Sequence, residues 1–187
     1  ELSAVAGLID MAAESIGSGG RVIYAGAGTS GRLGIVDASE IPPTFNAPPY
    51  YFIGLIAGGD RAIRNSVEGA EDEEQSGADD IRKLQAGPND LVIGLTASGR
   101  TPYVGGALRE ARAAGAKTAL IACNKGAALS PLADVAVEVE VGPEIIMGST
   151  RLKAGTAQKI VLNMVFTGAM IKLGKVYANL MVDLQTN

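Results

Sequence analysis

Short apolar runs alternate along the chain with longer segments whose apolar residues recur at helical spacing. The short runs predict strands at residues 21–25, 51–56, 91–95, 118–122 and 135–141. Helical spacing predicts helices over residues 2–16, 32–40, 60–67, 72–84, 102–114 and 150–172. Because strands and helices alternate, the chain is predicted to form βαβ units and a mostly parallel sheet. The expected fold is α/β, with three α/β/α layers around a doubly wound, five-stranded sheet.

Glycines and prolines mark where these helices are expected to begin and end. The glycine-rich residues 17–20 stop the first helix. Pro42 and Pro43 are expected to close the second helix at Glu40. Thr101 followed by Pro102 predicts a cap and a first helical residue. In parallel sheets of this class, ligands bind at the carboxyl ends of the strands.

Composition and charge narrow the possible partners. The 187 residues are 47% apolar, enough for one domain spanning residues 1–187. A net charge of -4 argues against a nucleic-acid surface. The longest apolar run, residues 160–171, is too short to span a membrane and predicts a buried helix. No signal peptide opens the chain, so a cytoplasmic location without membrane partners is expected. The start without Met and the early stop suggest a piece of a longer protein.

The chain contains no histidine, and its single cysteine is Cys123. A Ser-His-Asp or Cys-His nucleophile is therefore excluded within this chain. This composition argues against a zinc site, and neither a metal nor a cofactor is expected. Any general acid or base must come from Glu, Asp, Lys, Tyr or the lone cysteine.

Residues 26–31 (GAGTSG) form a glycine-rich loop between the first strand and its helix. Such a loop lets the backbone and a helix start approach an anion. It could hold a dinucleotide or a phosphosugar, or be a tight turn that binds nothing. A dinucleotide site needs an acidic residue at the end of the second strand, and Asp60 comes late for that role. The hydroxyls of Thr29 and Ser30 suit a terminal phosphate.

A second loop of the same kind follows the third strand. Residues 96–102 (TASGRTP) again combine hydroxyl side chains, a glycine and a helix start. Either loop alone could simply cap its helix. Two such loops at neighbouring strand ends instead predict one crevice for a phosphate monoester, which has several acceptor oxygens.

The paired loops resemble those of SIS (sugar isomerase) domains, and longer strings resemble the N-acetylmuramic acid 6-phosphate etherases within that fold. These strings are GAGTSGRLGIVDASEIPPTF (26–45), GLIAGG (54–59), VEGAED (67–72), ASGRTPY (97–103), GPEIIMGSTRLKAGTAQK (142–159) and GKVYANLMVD (174–183). The resemblance covers almost the whole chain. It implies an SIS-type, flavodoxin-like fold and a site that binds a phosphosugar.

The resemblance also implies the chemistry of the site. The family eliminates D-lactate from the sugar and adds water, giving N-acetylglucosamine 6-phosphate, with two carboxyl groups as acid and base. The matching positions are Glu40, taken as the acid that assists lactate, and Glu71, taken as the base at carbon 2. On their own, both would most simply be carboxylates at helix ends.

The remaining site residues follow from the same strings. Positions predicted to contact the phosphate or substrate are Thr29, Ser30, Gly31, Thr96, Ser98, Gly99, Arg100, Thr101, Ser149, Arg151 and Lys153. Arg151 and Lys153 could equally be solvated charges at a helix start. Glu144, in the same string, is a further candidate.

A regulatory protein offers the main alternative. The glucokinase regulatory protein resembles the etherases, yet it senses phosphosugars without cleaving them. The presence of both Glu40 and Glu71 favours catalysis, because a sensor does not need that pair. Family members also have further helical regions at both ends and form homodimers with the site near the subunit interface. A homodimer is therefore expected, and the missing regions bear on whether this piece is active alone.

Overall fold

The computed structural model describes residues 1–182 of the chain. The helices are α1 (Leu2–Gly17), α2 (Gly28–Phe45), α3 (Asp60–Arg64), α4 (Glu74–Lys83), α5 (Pro102–Ala113) and α6 (Lys153–Lys172). The strands are β1 (Val22–Gly26), β2 (Phe52–Ile56), β3 (Leu91–Thr96), β4 (Lys117–Ala122), β5 (Val135–Glu138), β6 (Val176–Tyr177) and β7 (Leu180–Met181). Short 3-10 turns lie at Ala70–Asp72 and Ser130–Leu132.

Strands β1 to β5 form one parallel sheet in the order β2-β1-β3-β4-β5. Val22 of β1 lies opposite Phe52 of β2 on one side and Leu91 of β3 on the other. All residues of β1 and β3 are buried, as expected for strands covered on both faces. The predicted five-stranded parallel sheet is therefore confirmed. Its strand order reverses between β1 and β3, which is where sheets of this type bind ligands.

Helices cover both faces of the sheet and complete the predicted three layers. Side chains from α1, α2 and α6 pack on one face, against alternate residues of β1 and β3 such as Tyr24 and Ile93. Side chains from α4 and α5 pack on the other face, against residues such as Ile23 and Val92. Because neighbouring strand residues point to opposite faces, the continuous apolar strands supply both cores.

Helices α4 and α5 cross with almost no space between their backbones. A Cβ atom on Gly77 would lie 2.0 Å from the carbonyl oxygen of Tyr103, and one on Gly106 would lie 1.9 Å from that of Glu74. Only glycine fits at either position, because a real Cβ cannot approach a backbone oxygen so closely. The hydroxyl of Tyr103 also donates a hydrogen bond of 2.8 Å to Asp80 of α4.

Several element boundaries differ from those predicted. Helix α2 does not end at Glu40 but continues through Pro42 and Pro43 to Phe45, and Asn46 closes it with a left-handed φ of 49°. The prolines remove two backbone donors from the last turn, but buried Ile41 and Phe45 hold that turn on the core. Strand β5 ends at Glu138 instead of residue 141, and α6 begins at Lys153 instead of residue 150.

The antiparallel hairpin β6–β7 follows α6 and was not predicted. Asp183, the last residue of the etherase-like string 174–183, lies outside the described residues. Among the helices of residues 1–182, none is both long and apolar enough to cross a membrane.

Candidate functional site

A polar crevice of about 620 Å³ opens at the carboxyl ends of β1 and β3. Both predicted loops and the turn that carries Glu71 meet there. The lining residues are Ala27, Gly28, Thr29, Ser30, Glu71, Asp72, Leu95, Ala97, Ser98, Arg100, Thr101, Pro102, Gly148 and Thr150. The structure thus brings six of the predicted site residues together: Thr29, Ser30, Ser98, Arg100, Thr101 and Glu71.

The first loop presents the start of α2 to the crevice. Gly28 has a left-handed φ of 53°, and in the described chain no side chain caps the helix at Ala27. The first-turn N–H groups and the positive end of the helix dipole are therefore available to an anion. Gly31 has a different role from that predicted. A Cβ there would lie 2.6 Å from Ile56 and 2.8 Å from the carbonyl oxygen of Gly26, so this glycine lets α2 pack on the sheet.

Buried Thr96 organises the hydroxyl groups of the second loop. Its Oγ1 lies 2.8 Å from Oγ1 of Thr101 and 3.4 Å from Oγ of Ser98, and it accepts the N–H of Gly99 at 3.1 Å. Thr96 does not line the crevice, and Gly99 serves the turn with a φ of 74°. The arrangement holds the Ser98 and Thr101 hydroxyls at the crevice wall, beside the uncapped start of α5.

The hydroxyl of Ser30 is tied to the core by a residue that the sequence analysis did not single out. Ser30 Oγ donates a hydrogen bond of 2.8 Å to Oε1 of Gln158 on α6. Gln158 is buried, and its Nε2 has no hydrogen-bond partner among the described residues. This contact joins the first loop to α6 across 128 residues of sequence.

Glu71 reaches the crevice from the 3-10 turn before α4. It also lines a smaller adjoining cavity of about 160 Å³, and Arg32 forms part of the wall of that cavity. The guanidinium of Arg32 donates to the carbonyl oxygens of Ile63 and Asn65, so it holds the segment before Glu71 in place. Asp72, next to Glu71, lines the crevice as well and was not predicted as a site residue.

Glu40 lies apart from the crevice. It is exposed near the end of α2, about 16 Å along the helix axis from Thr29 at 1.5 Å per residue. It lines a separate groove of about 420 Å³ between α2 and α6, together with Asp37, Lys159 and Asn163. The resemblance implied that Glu40 and Glu71 act together in one site, but within one chain they line different cavities.

Asp37 forms a buried network beside Glu40. Its carboxylate accepts hydrogen bonds from Tyr24 Oη at 2.8 Å and from Asn163 Nδ2 at 3.0 Å. Burial raises the pKa of Asp37 to about 6, although both hydrogen bonds act in the opposite direction. The network fixes α2 against β1 and α6, and so fixes the helix turn that carries Glu40.

The segment before α6 contributes different residues from those predicted. Gly148 and Thr150 line the crevice, whereas Ser149, Arg151 and Lys153 do not. Glu144 accepts the backbone N–H groups of Lys153 at 3.0 Å and Ala154 at 2.9 Å. The bond from Ala154, followed by that from Lys153, lowers the pKa of Glu144. Glu144 therefore caps α6 and occupies the helix start at which Lys153 was expected to help bind an anion.

Some of the crevice residues that were missed had a signal in the sequence. Thr150 and Asp72 lie in the strings 142–159 and 67–72, directly beside predicted residues. Gln158 also lies in the string 142–159, but away from the predicted residues, and its contact with Ser30 arises only when α6 packs against α2.

Two family models match the chain. The model described as "SIS domain" matches residues 70–168, and the model described as "Glucokinase regulatory protein N-terminal SIS domain" matches residues 4–112. Among solved structures, a phosphoheptose isomerase from Francisella tularensis superposes with a TM-score of 0.71 at 19% identity, over 89% of this chain and 85% of that one. This likeness supports the fold that the paired loops predicted.

Curated relatives with the name N-acetylmuramic acid 6-phosphate etherase are much closer in sequence. The protein of Cutibacterium acnes (strain DSM 16379 / KPA171202) is 55% identical over 98% of this chain and 60% of its own length. That of Yersinia pestis (strain Pestoides F) is 59% identical over 98% of this chain and 62% of its own length. The predicted resemblance is confirmed, and the chain spans about three fifths of these relatives.

Proposed function

This chain belongs to the SIS domain family, and from that premise we propose that it cleaves the D-lactyl ether of N-acetylmuramic acid 6-phosphate. The products are N-acetylglucosamine 6-phosphate and D-lactate. The observation that carries the proposal is the meeting of two hydroxyl loops and Glu71 at one crevice. High identity to relatives named as etherases supports the choice of this reaction among those of phosphosugars.

The crevice is suited to the phosphate of such a substrate. The uncapped starts of α2 and α5 supply N–H donors and partial positive charge. Ser98 and Thr101 add hydroxyl donors, and Arg100 adds a full positive charge. With the phosphate bound among these groups, the sugar extends toward Glu71.

The chemistry needs one base and one acid. Ring opening exposes an aldehyde that acidifies the proton on carbon 2, and Glu71 removes this proton. The bond between carbon 3 and the ether oxygen then breaks, and Glu40 protonates the oxygen as D-lactate leaves. Water adds to the unsaturated aldehyde, with hydroxyl at carbon 3 and a proton returned to carbon 2. Two carboxyl groups in different protonation states suffice for these steps.

We infer that Glu40 acts at the crevice of a second copy, since it lies too far from Glu71 of its own chain. A homodimer of this kind is supported by exposed apolar side chains around Glu40 and along α6. They include Val36, Ile160 and Ile171, with 56%, 52% and 55% of their surfaces exposed. Residues of this type are common in the buried centre of homodimer interfaces.

A phosphosugar sensor is the second candidate function, and the match to the glucokinase regulatory protein model favours it. A sensor would bind N-acetylmuramic acid 6-phosphate or related phosphosugars without releasing lactate. The predicted cytoplasmic location, and the expectation of neither nucleic-acid nor membrane partners, stay predictions for either function.

Incubation with N-acetylmuramic acid 6-phosphate, followed by an enzymatic assay for D-lactate, tests the proposal. We expect lactate release, incorporation of solvent deuterium at carbon 2 and of solvent oxygen at carbon 3. Glu71→Gln and Glu40→Gln should each lower turnover at least about a hundredfold, the scale of lost acid–base catalysis. Glu73→Gln is the matched control, because exposed Glu73 follows the same turn without lining the crevice. Saturable binding with no lactate release would instead support the sensor.

Mixing the two inactive variants tests the shared site. If Glu40 of one copy serves Glu71 of its partner, a mixture of Glu40→Gln and Glu71→Gln should regain about a quarter of the wild-type activity. About half of randomly mixed dimers contain one of each variant, and each such dimer has one intact pair. Each variant alone has none. A mixture as inactive as its components would contradict the shared site.

A further inference from the structure

The amide of Gln158 is paired at one end only. Its Oε1 accepts the hydroxyl proton of Ser30 at 2.8 Å, while its Nε2 is buried without a hydrogen-bond partner in the described part of the chain. Only 1% of the Gln158 surface is exposed. An unpaired buried donor is unfavourable, so its retention calls for an explanation.

The direction of this hydrogen bond matters because Ser30 lines the crevice. A serine hydroxyl has one proton and two lone pairs. While the proton points to Gln158, the side of Ser30 Oγ that faces the crevice offers only lone pairs. Lone pairs repel a phosphate oxygen, so Ser30 in this arrangement cannot donate to the anion that the crevice is suited to hold.

We propose that Gln158 is a positioning residue whose side-chain amide turns over when an anion enters the crevice. The terminal torsion of glutamine is broad and roughly two-fold, so a half turn exchanges Oε1 and Nε2 at nearly the same places. Nε2 then donates to Ser30 Oγ, and the freed hydroxyl proton donates to a phosphate oxygen. The previously unpaired Nε2 of Gln158 thus starts a series of hydrogen bonds that runs from α6 through Ser30 to the ligand.

The half turn of the Gln158 amide is favourable only when an anion occupies the crevice. In the free protein the half turn moves Oε1 into the unpaired position and gains nothing. With an anion present it adds a charge-assisted hydrogen bond, which is stronger than one between neutral groups. Hydrogen bonds in a chain also polarise and strengthen one another. This inference rests on the proposed binding of a phosphosugar in the crevice and adds a determinant of that binding.

Nuclear magnetic resonance of the wild-type chain, labelled with ¹⁵N at glutamine side chains, tests the exchange directly. On saturation with N-acetylglucosamine 6-phosphate, one of the two Nε2 protons of Gln158 should shift downfield as it becomes hydrogen-bonded. The same shift should be absent in Ser30→Ala, and N-acetylglucosamine without phosphate should not produce it. Exposed Gln75, which already donates to Asp79, should keep its signals.

A double-mutant cycle on ligand affinity provides the second measurement. Gln158→Met keeps a side chain of similar size and should weaken binding of N-acetylglucosamine 6-phosphate about three- to tenfold, whereas in the Ser30→Ala background it should change binding less than about twofold. Gln75→Met is the matched control and should have no effect in either background.

The outcomes separate this inference from the proposed function. Tight binding by the wild type, with Gln158 signals that do not move, would overturn the inference and leave the proposed function standing. An equal loss of affinity from Gln158→Met in both backgrounds would also overturn it, because a merely structural role predicts that result. Failure of the wild type to bind any phosphosugar would overturn both.

Discussion

Replacement of buried Asp37 by Asn should change how the stability of the fold depends on pH. Only 4% of the Asp37 surface is exposed, and burial raises its pKa from an ordinary value of 3.8 to about 6. The folded state therefore binds this proton more tightly than the unfolded state. The stabilisation that this bound proton gives the folded state is fully present below about pH 4 and is lost as the pH rises through about 6.

The magnitude follows from the two pKa values. The difference between 3.8 and about 6 corresponds to about 3 kcal/mol at 1.36 kcal/mol per pH unit. Asn cannot ionise, yet its amide can accept from Asn163 and donate to Tyr24, so the network persists. As the pH rises from about 4 to about 7, the wild type loses this stabilisation and Asp37→Asn does not. The unfolding free energy of Asp37→Asn should therefore rise relative to that of the wild type by up to about 3 kcal/mol.

Urea denaturation of both proteins at several pH values measures this difference. Asp10→Asn removes the same charge from an exposed residue that pairs with Lys172, and it should keep the wild-type pH dependence. If Asp37→Asn and Asp10→Asn have parallel curves of unfolding free energy against pH, the carboxyl of Asp37 is not the group responsible. The argument from burial would then be refuted.

Three further predictions, two of them with a matched control substitution, concern the fold and the crevice. In urea denaturation, Gly106→Ala should lower the unfolding free energy by at least about 2 kcal/mol, because its Cβ would meet the backbone of α4. Gly7→Ala is its control: there is open space around Gly7, so this change should raise the unfolding free energy by about 0.5–1 kcal/mol. Thr96→Val should weaken calorimetrically measured phosphosugar binding about tenfold by removing the hydroxyl that orients the second loop, whereas Thr156→Val should leave it unchanged. Glu144→Gln should unfold at lower urea than the wild type at neutral pH, and the gap should close as the pH falls through the lowered pKa of Glu144; a gap that persists in acid would contradict its role as a charged cap.

Local patterns were sufficient to predict the sheet and both loops. Continuous apolar runs identify strands buried on both faces, and the loops at residues 26–31 and 96–102 follow two of them. Since the ends of neighbouring parallel strands share one edge, the crevice followed from the order of elements alone. The predicted end of α2 at Glu40 was wrong, because the burial of Ile41 and Phe45 in the core outweighs the tendency of the two prolines to end a helix.

The placement of side chains between distant elements could not be predicted. Ser30 and Gln158 meet only because α2 and α6 pack on the same face of the sheet. The capping of α6 by Glu144 depends on the path of the loop between Glu144 and the start of that helix. The position of Glu40 had a signal that was not used, because the predicted helix itself separates it from the loop at residues 26–31 by several turns.

The glycine crossing of α4 and α5 has a mechanical consequence for the crevice. Backbones in direct contact cannot slide past one another without a clash, so the two helices move as one body. The turn with Glu71 leads into α4, and the loop with Thr101 leads into α5, so these two walls keep a constant separation. Any change in the width of the crevice must then come from motion of the opposite wall, formed by the start of α2 and residues 148–150.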